Sequence, residues 1–147
     1  MANQQPDIEY TWAVLRYQHD PSSGECLNVG VVLYAGSTGE ILLKWDSQAI
    51  RLRAVFKDFQ LAHHRQVMGA FETAIKRAAR AYTGDCIPDV GALVNDVWPD
   101  MGLSYSASAA LNGAGTDLKD EIEDLFDRFL SNYQPSTRPG PRNVCLE

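Results

Sequence analysis

The chain has 147 residues, and a chain of this length buries roughly two thirds of its unfolded surface, which is enough for one hydrophobic core but not for two. Apolar residues make up 45% of the chain and charged residues 22%, fractions that are ordinary for a globular protein and exclude a disordered or fibrous one. The formal net charge of −6 disfavours nonspecific binding to the phosphates of nucleic acids.

Three segments in the first third of the chain have the composition of β-strands. Residues 10–17, 26–34 and 40–45 are rich in aromatic and β-branched side chains, and both alternating faces of the first segment are largely apolar, as in a central strand. Short connections that contain Gly, Pro and Ser join consecutive segments. The pattern therefore predicts an antiparallel meander in which neighbouring segments pair.

The apolar spacing of the middle of the chain has a helical period. It predicts a short helix over residues 48–56 and a long helix over residues 58–82. The apolar stripe of the long helix includes His63, so His63 is expected at the edge of the core and His64 in solvent. A third helix is expected to have Pro88 at its first position.

The last third of the chain predicts one strand, one loop and one helix. Residues 103–106 favour a short fourth strand, and the small, polar stretch that follows, through Ala114, favours a loop. Residues 117–133 give the clearest helical pattern of the chain. Its apolar side is formed by Leu118, Ile122, Leu125, Phe126, Phe129, Leu130 and Tyr133.

These elements predict one α+β domain over residues 8–133, a small antiparallel meander of three to four strands covered by about four helices. Residues 134–147 are rich in proline and polar side chains, which predicts a flexible tail, and its last two residues resemble a cloning remnant. No apolar run approaches the roughly 20 residues that cross a bilayer, and no secretory signal is visible. We therefore expect a cytoplasmic protein without a membrane segment.

The sequence offers no pattern that is typical of a catalytic, metal or cofactor site. His63 and His64 are adjacent, and no third ligand follows one helical turn later. The cysteines, Cys26, Cys86 and Cys145, are widely spaced and are expected to be small buried side chains or an exposed thiol. Spacing would not reveal a pair of carboxylates that meets only in space. Because no such pattern is visible, the sequence favours a non-enzymatic protein that needs no cofactor.

Two consecutive strand segments carry the pattern of a known family. Residues 10–17 are Tyr-Thr-Trp-Ala-Val-Leu-Arg-Tyr, and residues 24–33 are Gly-Glu-Cys-Leu-Asn-Val-Gly-Val-Val-Leu. This pattern resembles the bacterial domain-of-unknown-function family 3037, and the resemblance extends over residues 8–133. The family has no established activity. Its members often lie beside HipA-like serine/threonine kinases, so the resemblance implies an accessory role, with such a kinase as partner, in a toxin–antitoxin or defence system.

Two groups of polar side chains are candidates for interaction. In the strand motif, Glu25 is expected to pair with Arg16 and Asn28 to cap the loop crossing, with ligand binding as the alternative. Gly30 in the same strand predicts a bulge or the close approach of another backbone. On the long helix, Arg65, Lys76 and Arg80 share one side, which is either a solvated face or a phosphate site.

Two functions follow from these interpretations. The leading hypothesis is a non-enzymatic protein-interaction or regulatory domain that acts through a protein partner. The alternative is a phosphate- or nucleic-acid-binding protein, conceivably an enzyme, that uses the basic middle helices. The sequence does not indicate an oligomeric state. The candidate interaction residues are Arg16, Glu25, Asn28, Arg65, Lys76 and Arg80.

Overall fold

A computed structural model describes residues 7–20, 22, 25–82, 88–98 and 104–131 of the chain. The strands are β1 (Ile8–Tyr17), β2 (Leu27–Ala35), β3 (Glu40–Trp45), β4 (Tyr105–Ala107) and β5 (Leu111–Gly115). The helices are α1 (Ile50–Val55), α2 (Leu61–Ala81), α3 (Val90–Val97) and α4 (Leu118–Phe126), and a π-helical turn, Asp127–Ser131, continues α4. The predicted α+β class is confirmed. None of the helices in the described ranges is long and apolar enough to cross a membrane.

The sheet is antiparallel, with the strand order β3-β2-β1-β4. The predicted meander of the first three strands is therefore confirmed. Strand β5 pairs with the first half of β1, on the same side as β4. Between β4 and β5, the Ser108 amide donates to the Val14 carbonyl at 2.8 Å and the Ser108 hydroxyl accepts from the Val14 amide at 2.9 Å. The two short strands thus act as one interrupted edge strand.

Strand β5 corrects the prediction of a loop through Ala114. Its sequence, Leu-Asn-Gly-Ala-Gly, has low strand propensity, but its backbone pairs with β1 from Ile8 to Trp12. Gly113 lies against the ring of Tyr10, where an added Cβ would stand 2.6 Å from ring atoms. The small residues therefore reflect close packing against an aromatic ring rather than a loop.

Helices cover both faces of the sheet. One face packs against α1, α2 and α3, and the buried side chains of this layer include Ala13, Leu15, Val32, Leu52, Phe71, Ile75 and Leu93. The other face packs against α4 and its π-helical turn, with Trp12, Val14, Val31, Leu33, Ile122 and Leu125 buried. Burial on two faces explains why β1 and β2 are apolar at almost every position.

Strand β2 contains the irregularity that Gly30 predicts. Leu15 pairs with Gly30 and Arg16 pairs with Asn28, so Val29 is an extra residue that bulges out of the ladder. A Cβ at Gly30 would stand 2.9 Å from the Cβ of Trp45, so the neighbouring strand also approaches closely. Both expectations for Gly30 are confirmed.

Helix α2 is rotated relative to its predicted orientation. His64 is buried and His63 is exposed, so the prediction for this pair is wrong. Burial of His64 is stabilised by hydrogen bonds to Tyr105 and to the backbone of Asp46, both distant in sequence. Apolar spacing could not show these bonds. The buried side of α2 is His64, Met68, Phe71, Ile75 and Ala79.

Three further predictions concern the start of α3, the cysteines and the tail. Helix α3 begins at Val90, not at Pro88, because the Asp89 side chain caps it by accepting from the Ala92 amide at 2.8 Å. Cys26 is buried as predicted, but it is disulfide-bonded, so its interpretation as a plain buried thiol is wrong. The predicted tail, 134–147, and the other two cysteines lie outside the described residues.

Candidate functional site

An aromatic cluster lies where β1 and β3 end and α1 leads into α2. The ring of Tyr17 at the end of β1 contacts Phe59 at 5.2 Å and Tyr105 at 5.1 Å between ring centroids, and Phe56 at 6.0 Å. The ring of His64 packs between Phe59 and Tyr105 in the same cluster. This cluster fixes the beginning of α2 against the carboxyl end of β1.

His64 is the buried polar group of this cluster, and its hydrogen bonds define its tautomer. Its Nε2 lies 3.0 Å from the carbonyl oxygen of Asp46, which can only accept, so Nε2 carries the proton. Nδ1 therefore accepts from the Tyr105 hydroxyl at 2.9 Å. Burial raises the pKa of Tyr105, which keeps that hydroxyl protonated. Burial lowers the pKa of His64, an effect that the bond to Asp46 only partly offsets.

The lowered pKa of His64 predicts that acid destabilises the domain. The unfolded chain takes up a proton on His64 near its ordinary pKa of 6.5, whereas the folded chain takes it up only at lower pH. The contribution of neutral His64 to the free energy of unfolding is thus fully present above pH 6.5. It is lost as the pH falls toward the pKa of His64 in the folded chain. Urea unfolding at several pH values between about 5 and 8 should show this loss, and His64→Gln should reduce it. An unchanged pH dependence in the variant would contradict this account.

A second histidine joins two segments through a hydrogen-bonded chain. His19 Nδ1 lies 2.8 Å from the Tyr17 hydroxyl, and His19 Nε2 lies 2.8 Å from Asp58 Oδ1. The imidazole also stacks on Phe56 with ring centroids 4.3 Å apart. An acid, a histidine and a hydroxyl in this order resemble a nucleophilic triad. However, burial and the Asp58 charge raise the pKa of Tyr17, which is the opposite of activation. These hydrogen bonds are therefore suited to holding the two segments together and not to activating a nucleophile.

Residues 46–49 form a rigid turn between β3 and α1. The Asp46 carboxylate accepts from the amides of Gln48 at 3.1 Å and Ala49 at 3.0 Å, and the Asp46 amide donates to the Val29 carbonyl at 2.8 Å. Ala49 has a left-handed backbone with φ of 50°, which costs a non-glycine residue roughly 1–2 kcal/mol. Such a conformation persists where surrounding contacts enforce it, and it is often found at functional sites.

Two arginines from different helices are attached to this turn. Arg53 of α1 donates from Nε to the Gln48 carbonyl at 3.1 Å, and Arg65 of α2 donates from Nε to the Ser47 carbonyl at 2.9 Å. Both side chains are exposed, and neither guanidinium joins an ion pair in the described part of the chain. We call residues 46–49 with Arg53 and Arg65 the arginine turn.

Helix α1 presents aliphatic side chains to solvent beside the arginine turn. Ile50 is 66% exposed and Val55 is 57% exposed, while Leu52 of the same helix is 1% exposed and anchors it to the core. Leu52 and the bond from Arg53 to the turn hold α1 in place, but no described residue covers its outer side chains. We call Ile50 and Val55 with the arginine turn the α1 surface.

The structure separates the basic residues that the sequence grouped on the long helix. Lys76 Nζ lies 2.9 Å from Glu72 Oε2 of the same helix, so its charge is locally paired. Arg65 and Arg80 are four helical turns apart, roughly 22 Å along the axis of α2. Only Arg65 belongs to the α1 surface, where its neighbour is Arg53.

The candidates in the strand motif lie around the end of β1 and the start of β2. Arg16 lies opposite Asn28 in the β1–β2 ladder, not opposite Glu25. The Asn28 side chain donates to the Phe129 carbonyl at 3.0 Å, so it holds the π-helical turn after α4 instead of capping a loop. Glu25 is exposed at a bridge before β2. These three residues do not form a site with the arginines.

Other parts of the described structure offer fewer polar groups that are free to bind a ligand. Within the described ranges, no three His, Cys, Asp or Glu side chains are grouped to hold a metal ion. An open groove of about 290 Å³ lies at the opposite end of β1, beside Glu9, Tyr34 and Asp89. The Asp89 carboxylate is already used as the cap of α3. The α1 surface is therefore the best-defined candidate site.

Sequence reasoning missed Ile50, Arg53 and Val55. Arg53 and Arg65 are twelve positions apart, and they bond to carbonyls of the same turn only because the fold places the start of α2 beside that turn. No local spacing indicates such a pair. Ile50 and Val55 lie in a predicted helix, where an apolar side chain is normally taken as core.

Comparison with protein families gives a match over most of the chain. The family described as "Protein of unknown function (DUF3037)" matches residues 12–130, which include the whole α1 surface. No curated protein and no solved structure shows significant similarity to the chain. The resemblance in the strand motif is thus confirmed over most of the chain. The chain belongs to the DUF3037 family of proteins of unknown function.

Proposed function

We propose that this domain is a non-enzymatic protein-interaction module that docks a partner through the α1 surface. The observation that carries the proposal is the combination of two exposed aliphatic side chains, Ile50 and Val55, with two arginines held in place by backbone carbonyls. Protein interfaces favour this combination, since buried aliphatic groups supply free energy and arginine is enriched among the residues that dominate binding.

The charge of the α1 surface favours an acidic partner. Arg53, Arg65 and Lys57 are exposed around it. The acidic helix α4 cannot neutralise these groups, because α4 packs on the opposite face of the sheet. A partner segment that carries carboxylates beside an aliphatic or aromatic anchor would match both parts of the surface.

The family resemblance suggests which partner to test first. A bacterial HipA-like serine/threonine kinase encoded beside the protein would make this domain an accessory component of a toxin–antitoxin or defence system in the cytoplasm. Disulfides are rare in a reducing cytoplasm, and Cys26 is disulfide-bonded in the structure. Thiol labelling in cells tests the location, since a reduced Cys26 would support a cytoplasmic protein and an oxidised Cys26 would contradict it.

Removal of the aliphatic side chains of α1 should abolish docking. We expect Ile50→Ser with Val55→Ser to weaken binding to the purified kinase at least about a hundredfold, because each side chain loses roughly 1.5–3 kcal/mol of burial. Leu111→Ser is the matched control, since Leu111 is 49% exposed on β5, outside the α1 surface. Calorimetric titration of the three proteins measures the effect. Equal affinity of the double variant and wild type would refute docking through α1.

The nucleic-acid alternative has less structural support. Lys76 is paired with Glu72, and Arg80 is remote from the arginine turn. Phe56 and Phe59, the aromatic rings nearest α1, are half-buried and contact Tyr17 instead of presenting open faces for bases. Micromolar binding of RNA or DNA near physiological salt that is lost in Arg53→Gln with Arg65→Gln would favour this alternative over a protein partner.

A further inference from the structure

We infer that the arginine turn is an oxyanion-binding site in which Arg53 and Arg65 together bind one carboxylate or phosphate group. This inference rests on the proposed function, since the group would belong to the docking partner. It adds the chemistry of the contact, which the exposed aliphatic side chains do not specify.

The two guanidinium groups are held close together by consecutive residues. Ser47 accepts from Arg65 and Gln48 accepts from Arg53, and the carbonyl oxygens of adjacent residues lie no more than about 6 Å apart. Both arginines therefore extend from one small area, although they come from different helices. The proposal places a single anionic group beside the turn, where it contacts both of them.

The turn that holds these arginines is tied to the core by several hydrogen bonds of Asp46. The Asp46 carbonyl accepts from His64, the Asp46 carboxylate binds two amides of the turn, and the Asp46 amide donates to Val29 in the central sheet. His64 is in turn fixed by Tyr105. Arginines held in this way lose little conformational freedom when they bind a ligand, which favours affinity.

The donors that face solvent are suited to oxyanions. A guanidinium has five N–H donors, and the bond from Nε to the turn uses one of them in each arginine. The terminal amino groups stay available for the paired hydrogen bonds that carboxylate and phosphate oxygens accept.

Nearby acidic side chains do not compete for this position. The Asp46 carboxylate binds amides of its own turn, Asp58 binds His19, and Glu72 binds Lys76 and the Trp45 indole. Each of these carboxylates is thus already engaged. An anion from outside the domain is therefore the expected occupant of the arginine turn.

Nitrogen-15 NMR of the arginine Nε–H groups tests this inference without a protein partner. Sodium phosphate and sodium acetate are titrated separately at constant ionic strength. We expect the Arg53 and Arg65 signals to shift together and to saturate with one dissociation constant of about 1–10 mM. The Arg80 signal should show no saturable shift, because Arg80 lies at the far end of α2.

Variants define which features of the site matter. Arg53→Gln or Arg65→Gln should weaken anion binding at least about tenfold, and Arg65→Lys should do so too, because lysine keeps the charge but not the fork of donors. Arg80→Gln is the matched control and should bind as wild type. Saturation by phosphate alone would indicate a phosphorylated residue, and saturation by both anions would admit a carboxylate. Shifts that stay linear, or that equal those of Arg80, would overturn the inference.

Anion binding and kinase binding, measured on the same variants, test the oxyanion site and the docking surface separately. Ile50→Ser with Val55→Ser should leave anion binding unchanged, because neither side chain donates a hydrogen bond. If no anion binds but the kinase complex still depends on Ile50 and Val55, docking stands and the oxyanion site is refuted. If anions bind but the aliphatic variants bind the kinase normally, the oxyanion site stands and the docking surface is refuted.

Discussion

Replacement of Phe71 by alanine is expected to lower the free energy of unfolding by about 3–5 kcal/mol. Phe71 is 1% exposed in the layer between α2 and the sheet, and the centroid of its ring lies 4.0 Å from the centroid of the Trp98 ring. The close-packed neighbours cannot collapse fully into the space, so a cavity adds to the loss of apolar burial. A loss of this size is a large part of the roughly 5–15 kcal/mol that stabilises an ordinary domain.

Phe126→Ala is the matched control for Phe71. The sequence predicted that Phe126 packs in the core, but its ring is only half-buried and lies under Lys44, whose Nζ is 4.7 Å from the ring centroid. We therefore expect Phe126→Ala to lower the free energy of unfolding by about half as much as Phe71→Ala, or less. Urea unfolding of both variants at one pH measures the difference. Equal losses would contradict the arrangement of the two core layers.

The second large effect is expected at Gly30, where alanine should lower the free energy of unfolding by about 1–3 kcal/mol or more. An added Cβ would stand 2.9 Å from Trp45 Cβ and 3.0 Å from the Lys44 carbonyl oxygen. Both contacts involve atoms on or next to the β3 backbone, which cannot move without disturbing the β2–β3 ladder. The bulge at Val29 would have to adjust as well.

Gly69→Ala provides a control of opposite sign. Gly69 lies inside α2, and an added Cβ there has no neighbour within 4 Å. Alanine should raise the free energy of unfolding by about 0.5–1 kcal/mol, since glycine is the more flexible residue in the unfolded chain. Thermal and urea unfolding of the two variants measure both signs. A neutral Gly30→Ala would show that β2 and β3 do not approach each other this closely at the bulge.

The sequence predicted the first four strands and the helices in their order because those features depend on local composition. Apolar residues on both faces of 10–17 required cover on both sides, and the structure supplies it with α2 and α3 on one face and α4 on the other. Gly30 was interpreted correctly because a glycine inside a strand of large side chains is typical of a bulge or of a closely approaching backbone.

The errors in the fold arise where distant contacts override local pattern. Strand β5 forms from a glycine-rich segment because β1 offers it a backbone partner and Tyr10 lies against Gly113. His64 replaces His63 in the core because Tyr105 and Asp46 satisfy its two nitrogens. Neither partner can be recognised from positions near the histidines.

The candidate site could not be predicted from the sequence for the same reason. The sequence assigned Arg65 to a basic helix face with Lys76 and Arg80, since helical spacing was the only relation it offered. The structure pairs Arg65 with Arg53 through the carbonyls of a four-residue turn, a relation that exists only in the folded chain.

Hydrogen exchange of the complex with the HipA-like kinase tests the central claim, docking through the α1 surface, most directly. The backbone amides of 46–55 should exchange more slowly in the complex than in the free domain, because the partner covers α1 and the turn before it. The amides of β5 and α4 should exchange at the same rate in both states, since they lie outside the α1 surface. Protection that is confined to β5 or α4, with residues 46–55 unchanged, would contradict the account.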